Sequence, residues 1–205
     1  YDCVLVTDCA SYERMGTICD SVSRRDLLIN IDHHSSNSRY GDLNWVDPKS
    51  ASSGELVFRL LKQANWPITP PIADCLFTAI STDTGSFQYA TTRPSTYMIA
   101  AELVKRGANL SRICEEVYQS YPLSRVKLQR HMYNSFKIIE NNQIAYFWIR
   151  QADYKNTGAS PDESEGLIAH IRNIQGVKIA CLFEEIEPEL TRVSWRSKWV
   201  TPGAA

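Results

Sequence analysis

Hydrophobic positions along the chain fall into two regimes. In the first, short apolar runs end abruptly in polar clusters. Residues 1–7 read as a strand running into Asp8-Cys9-Ala10-Ser11, and residues 27–31 as a second strand ending in Asp32-His33-His34. Runs of this length bounded by turn formers suit buried strands of a parallel sheet. Residues 14–21 lie between them as a helix-sized segment. A right-handed βαβ unit follows, with both strand ends at one sheet edge. Asn44 to Pro48 is a short extended piece. Ser50 or Ser53 can cap a helix that carries Leu56, Val57, Leu60 and Leu61 as an apolar stripe. The prolines at 67, 70 and 71 mark a break. A helix over 72–82, apolar on most sides, then leads into Thr82-Asp83-Thr84-Gly85-Ser86-Phe87. Further helices are predicted over 97–105, stopped by Gly107, then over 110–118 and 123–136.

Beyond residue 136 the period changes. Residues 137–140 and 143–150 flank Asn141-Asn142 and read as a hairpin. Residues 161–173 read as a helix with Asp162, Glu163 and Glu165 near its dipole-favoured start. Residues 177–184 and 190–198 form another strand pair, giving β-β-α-β-β. The expected fold class is α/β: a parallel Rossmann-like sheet domain followed by a smaller α+β domain. The expected division is 1–121 for the first domain, 122–136 for a connector helix and 137–205 for the second domain.

Composition narrows the function. With 22 basic and 23 acidic side chains the net charge is −1, so no global basic field advertises a polyanion ligand. A phosphate substrate would need local groups or bound cations. Six scattered cysteines without a C-x-x-C pair suit free buried thiols in a reducing cytoplasm and argue against a zinc-cysteine site. No apolar stretch approaches the ~18 residues of a membrane span, and no signal peptide is apparent. The chain opens on Tyr1 inside what reads as an interior strand, which sets the expectation of a fragment.

Asp8, Asp32-His33-His34 and Asp83 each end an apolar element. In open α/β sheets the reacting groups sit beyond the carboxyl ends of the strands. Mixed carboxylate and imidazole ligation suits Mn²⁺, with Zn²⁺ or Fe²⁺ as other occupants. Two such ions can share a bridging carboxylate and activate water for in-line attack on phosphorus. Taken singly, each residue has a blander reading: a strand-end Asp is a turn former, a His-His pair a hydrogen-bonded surface feature, Gly85 a helix terminator. Their joint occurrence in this order favours the site.

Val6-Thr7-Asp8-Cys9-Ala10, Ile31-Asp32-His33-His34 and Thr82-Asp83-Thr84-Gly85-Ser86-Phe87 resemble motifs two, three and four of the DHH phosphoesterase superfamily. Ser164-Glu165-Gly166-Leu167 and Val193-Ser194-Trp195-Arg196-Ser197-Lys198 resemble the first type of DHH-associated domain, the pairing of the nano-RNases. That resemblance implies a metal-dependent phosphohydrolase. It would degrade short oligoribonucleotides to mononucleotides and dephosphorylate 3'-phosphoadenosine 5'-phosphate (pAp). It further implies that Asp8 bridges two Mn²⁺ ions, with Mg²⁺ or Co²⁺ as substitutes, and that His33 and Asp83 complete the second metal site. His34 would contact the scissile phosphate, Asp32 would orient the imidazoles, and Arg196 and Ser197 would contact substrate phosphate or base. The implied partners are short single-stranded RNA or a nucleotide, with no membrane; a homodimer is compatible, and the implied location is the cytoplasm.

Two departures stand out. The superfamily's first motif would lie upstream of Tyr1, and the Gly-Gly-Gly-His motif of the associated domain beyond Ala205. Truncation at both ends, with weak or no activity in this polypeptide, is the expectation. Alternatives within the superfamily are a RecJ-type single-strand exonuclease, a cyclic dinucleotide phosphodiesterase and a pyrophosphatase; the pyrophosphatases carry a Lys/Arg-rich second domain absent from this sequence. A non-catalytic nucleotide-binding protein of the same fold is the alternative from another class.

Overall fold

The computed structural model describes residues 1–198. The chain divides into a first unit, Tyr1–Gln119, and a second that begins at Ser120.

In the first unit β1 (Cys3–Thr7), β2 (Leu27–Asp32) and β3 (Leu43–Val46) form a parallel sheet in the order β1-β2-β3. Thr7 lies opposite Ile31, and Asp32 opposite Val46. Asp8 and the Asp32-His33-His34 run therefore leave the sheet at the same edge, as the predicted βαβ topology requires. The link between β1 and β2 differs from the single helix expected over 14–21. It is a 3-10 turn, Tyr12–Met15, followed by the one-turn helix α1 (Ile18–Ser21). Gly16, at φ 59°, interrupts the helical path between them.

After β3 come α2 (Ser53–Gln63), α3 (Pro70–Asp83), α4 (Pro94–Lys105) and α5 (Leu110–Tyr118). The cap of α2 is Ser52, whose Oγ accepts the Glu55 backbone N–H at 3.3 Å, rather than Ser50 or Ser53. Proline leads both α3 and α4, where its missing N–H costs nothing. Phe58, Leu76, Phe77, Ile80, Leu103 and Ile113 form a core among these helices.

The second unit opens with α6 (Leu123–Ser135). The hairpin strands β4 (Lys137–Ile139) and β5 (Ile144–Ile149) follow, paired antiparallel, with Glu140, Asn141 and Asn142 all at positive φ in the turn. Then come α7 (Gln151–Thr157), a 3-10 turn (Pro161–Ser164), α8 (Leu167–Arg172), β6 (Ile179–Glu187) and β7 (Leu190–Ser197). The sheet order is β4-β5-β6-β7, and β5 and β6 run parallel because the helical segments between them carry the chain back.

Several expectations change here. The helix expected over 161–173 is split at Gly166, which sits in the left-handed region at φ 78°. The helix α7 falls in a stretch to which the sequence assigned no element; its seven residues bury only Tyr154, too little to show as an apolar period. The helix read as a connector, α6, contributes Leu128 and Met132 to the second core, beside Phe147, Ile149, Leu167, Ile171 and Leu182. All six cysteines are free as expected, but none is buried: Cys3 and Cys75 are exposed and the others intermediate. No helix among the described residues is long and apolar enough to cross a membrane.

Candidate metal centre

Asp8 sits one residue past β1, its backbone N–H donating to the Ile31 carbonyl at 3.0 Å. Its φ of 60° is a left-handed conformation that a non-glycine residue adopts at a cost, and such strain concentrates at functional sites. Its side chain is about half exposed, at 49%. His33 Nε2 lies 3.5 Å from Asp8 Oδ1 and 3.7 Å from Asp83 Oδ2. Asp83 is the last residue of α3, so a strand end and a helix end deliver carboxylates to one imidazole nitrogen.

These separations suit donors to a shared cation. Two atoms each about 2.1 Å from one ion, at angles between a right angle and tetrahedral, stand about 3.0–3.4 Å apart. The tautomer of His33 agrees. Its Nδ1 lies 3.4 Å from the Ser50 carbonyl oxygen, which can only accept, so Nδ1 carries the proton and Nε2 keeps its lone pair for a ligand.

Asp32 does something different. Asp8, Asp32, His33 and His34 can each offer a ligand atom within 4.8 Å of the others, yet the lone pairs of Asp32 are already taken. It is completely buried. Its Oδ1 accepts the His33 backbone N–H at 2.8 Å, the His34 backbone N–H at 3.3 Å and the His34 Nδ1–H at 2.7 Å. Its Oδ2 accepts from Asn37 Nδ2 at 2.6 Å. Burial pushes its pKa up, but the hydrogen bonds from Asn37 and His34 outweigh it and hold the carboxyl below the usual range. An ionised Asp32 that orients the His34 imidazole and anchors the His33 backbone fits these contacts better than a direct ligand. With His34 Nδ1–H turned to Asp32, Nε2 is the nitrogen left for a ligand or substrate.

Asp83 shows the opposite behaviour. Desolvation, then the charge of Asp8, raises its pKa to about 6, against a pull from His33. Two carboxylates held close with no cation between them repel, and a divalent ion would remove that repulsion. The residues present therefore fit a metal ion, by donor chemistry and by the charge it would neutralise.

Three supporting residues lie outside the set expected from the sequence. Ser53, the first residue of α2, donates its Oγ–H to Asp8 Oδ1 at 2.9 Å. Asn37 joins Asp32 Oδ2, Asn30 Oδ1 and the Cys9 carbonyl through one amide nitrogen. Asn30, fully buried in β2, donates to the Cys9 carbonyl at 3.2 Å. Asn30 could have been found, because a polar amide inside an apolar strand demands a partner. Asn37 and Ser53 read as a turn former and a cap. Asn37→Ala should cost about 1–3 kcal/mol in denaturant unfolding, because it strips a donor from a buried carboxylate.

The Thr-Asp-Thr-Gly-Ser-Phe turn holds Asp83 in place. The Gly85 N–H donates to Thr82 O, the Ser86 N–H to Ser81 O, and the Phe87 N–H to Thr84 Oγ1. Gly85 has φ 56°, and a Cβ added there would stand 2.4 Å from the Tyr89 ring. Gly85→Ala is expected to lose about 1–3 kcal/mol of stability, read as a lower denaturant midpoint at unchanged slope.

Arg196 and Ser197 lie on β7 of the second unit, opposite Ala180 and Ile179. Arg196 is exposed, its Nη1 donating to the Trp195 carbonyl at 3.0 Å.

A parallel sheet with strand-end carboxylates and an Asp-His-His run is what the resemblance to DHH phosphoesterases implies, and likeness to known proteins points the same way. No family model matches the chain. Among curated relatives it is 29% identical over 198 residues to the bifunctional oligoribonuclease and PAP phosphatase NrnA of Bacillus subtilis, covering 95% of this chain and 62% of that protein. It is also 29% identical over 195 residues to the probable bifunctional oligoribonuclease and PAP phosphatase NrnA of Streptococcus mutans, with the same coverage of both chains. The solved structure of an exopolyphosphatase-related protein from Bacteroides fragilis superposes with a TM-score of 0.88 at 27% identity, over 96% of this chain and 58% of that one. The chain thus spans under two thirds of the relatives it matches, and its likeness to nano-RNase-type DHH phosphoesterases, drawn from the motifs, holds in sequence and in fold.

Proposed function

We propose that this polypeptide carries the metal-binding core of a phosphohydrolase that cleaves short oligoribonucleotides to mononucleotides and removes the 3'-phosphate of pAp. The observation that carries the reading is the convergence of Asp8 and Asp83 on His33 Nε2, at 3.5 and 3.7 Å. The names of the relatives supply the substrate class.

In this reading Asp8, His33 and Asp83 hold Mn²⁺, with Mg²⁺ or Co²⁺ as substitutes, and two ions occupy the intact site. A bound ion would supply charge to the phosphate oxygens and lower the pKa of water for attack on phosphorus. The chain's own groups do the rest. His34 Nε2 contacts the scissile phosphate, Asp32 fixes the His34 ring and the Ser50 carbonyl the His33 ring in the tautomers their hydrogen bonds require, and Ser53 orients the Asp8 carboxylate. Arg196, whose planar fork can grip two phosphate oxygens, and Ser197 contact substrate from an associated domain formed by the second unit. The reading places the enzyme in the cytoplasm, with short RNA or a nucleotide as its ligand and a homodimer as a compatible assembly.

The test is hydrolysis of a dinucleotide and of pAp by the full-length protein with Mn²⁺, alongside Mn²⁺ binding by calorimetry. Turnover of both substrates that collapses in Asp8→Ala supports the proposal; turnover that survives the substitution undiminished refutes it. Bound Mn²⁺ at fewer than two ions per full-length chain, with nucleotide binding but no turnover, would instead favour the non-catalytic nucleotide-binding alternative.

A further inference from the structure

The second unit holds a cleft of about 330 Å³ between the C-terminal turn of α6, the start of β4, the outer half of β5 and the start of α7. It exists because β4 is short: its pairing with β5 runs only as far as Lys137 opposite Tyr146, so β4 leaves Trp148 unpaired on that side. His131, Lys137, Tyr146, Trp148, Arg150 and Asp153 line it.

Two features distinguish this notch from an ordinary surface groove. The first is charge. Asp153 is already engaged, by His131 Nε2 at 3.4 Å and by the Arg150 backbone N–H at 2.8 Å. Among the described residues the Lys137 ammonium and the Arg150 guanidinium have no carboxylate within ion-pair distance, so two cations line a cleft whose one carboxylate, Asp153, pairs with neither. The second is a fixed aromatic wall. Trp148 stacks on Phe183 with ring centroids 4.7 Å apart and planes 17° from parallel, and Tyr146 meets Phe183 edge-on at 6.1 Å. Trp148 nevertheless stays 42% exposed. An indole held rigid by one neighbour but still open presents a flat apolar surface at little entropic cost.

Unpaired cations beside an open aromatic ring call for a ligand with a planar ring and an anionic group. The volume, at the lower end of the small-ligand range, suits one nucleotide rather than a longer strand. We propose that this cleft binds a nucleoside monophosphate, with its base against Trp148 and its phosphate between Arg150 and Lys137. The site is built from the second unit alone and needs no metal, so it goes beyond the phosphohydrolase reading.

Calorimetric titration of the whole chain with AMP in excess EDTA tests it, with adenosine and inorganic phosphate as separate probes. Removing the metal makes the result independent of whether Mn²⁺-dependent hydrolysis is ever found. Saturable AMP binding is expected, with adenosine and phosphate each at least about tenfold weaker. Arg150→Ala and Trp148→Ala should each weaken AMP by about tenfold, and Trp148→Phe should recover most of that loss. Arg150→Ala leaves the Asp153 contact intact, because that contact uses the backbone N–H. The proposal is overturned by the absence of saturable AMP binding up to about 1 mM. It is equally overturned by AMP binding that ignores both substitutions, or by phosphate binding as tightly as AMP.

Discussion

His33→Ala should abolish Mn²⁺ binding at the strand-end site and, with it, any phosphohydrolase activity. The expectation rests on the position of one atom. His33 Nε2 is the only group that faces both Asp8 and Asp83 among the described ion pairs, and its Nδ1 is anchored on the Ser50 carbonyl. Substituting the outer hydrogen-bonding partners of a metal ligand typically costs 10–100-fold in affinity, so loss of a ligand itself should cost more than about a hundredfold. Calorimetry with Mn²⁺ reads this directly. Circular dichroism of the variant guards against trivial unfolding, and Asp32→Asn gives a graded comparison: it keeps the ligands but weakens the support of the His34 ring and the His33 backbone. Mn²⁺ affinity unchanged in His33→Ala would remove the basis of the metal assignment.

Asp83→Asn is expected to act in opposite directions with and without metal. The raised pKa of Asp83, about 6 against an ordinary 3.8, means that folding disfavours its ionised form. For a group raised in the folded state, the stabilising contribution is fully present below the unfolded value. It is lost as pH rises from about 4 through about 6. Metal-free protein should therefore lose stability across that window, whereas Asp83→Asn should not. A rise from 3.8 to about 6 corresponds to about 3 kcal/mol, and partial exposure reduces this to about 2 kcal/mol at pH 7.5. Urea unfolding in EDTA at pH 4 and pH 7.5 should show the two proteins close at the lower pH and the variant more stable at the higher. With saturating Mn²⁺ the order should reverse, because the bound ion stabilises only the protein that binds it. Such an exchange of stability for ligand affinity is common at functional sites.

Much of the site was legible because its chemistry is concentrated at element ends. Asp8, Asp32-His33-His34 and Asp83 all follow apolar runs, and parallel topology forces the ends of β1 and β2 to one edge. Less legible were elements whose cause lies outside their own residues. The helix α7 buries one side chain, and the break at Gly166 depends on backbone conformation rather than hydrophobic period. The cysteines read as buried are exposed or only partly buried, because an apolar neighbour in sequence is not a neighbour in space. The notch in the second unit could not be read at all. It depends on where β4 stops pairing, and nothing in residues 137–150 announces that position.

Local periodicity and turn chemistry were enough to define the strands, the longer helices, the hairpin and the identity of the groups that end the strands. They also set the order in which three acidic motifs meet one sheet edge. It took the folded arrangement to establish which nitrogen of His33 faces the carboxylates, that Asp32 spends its lone pairs on hydrogen bonds, and that Ser53 and Asn37 hold the cluster together. Those are questions of distance between residues far apart in the chain, and a carboxylate becomes a ligand or a support according to which donors reach it first.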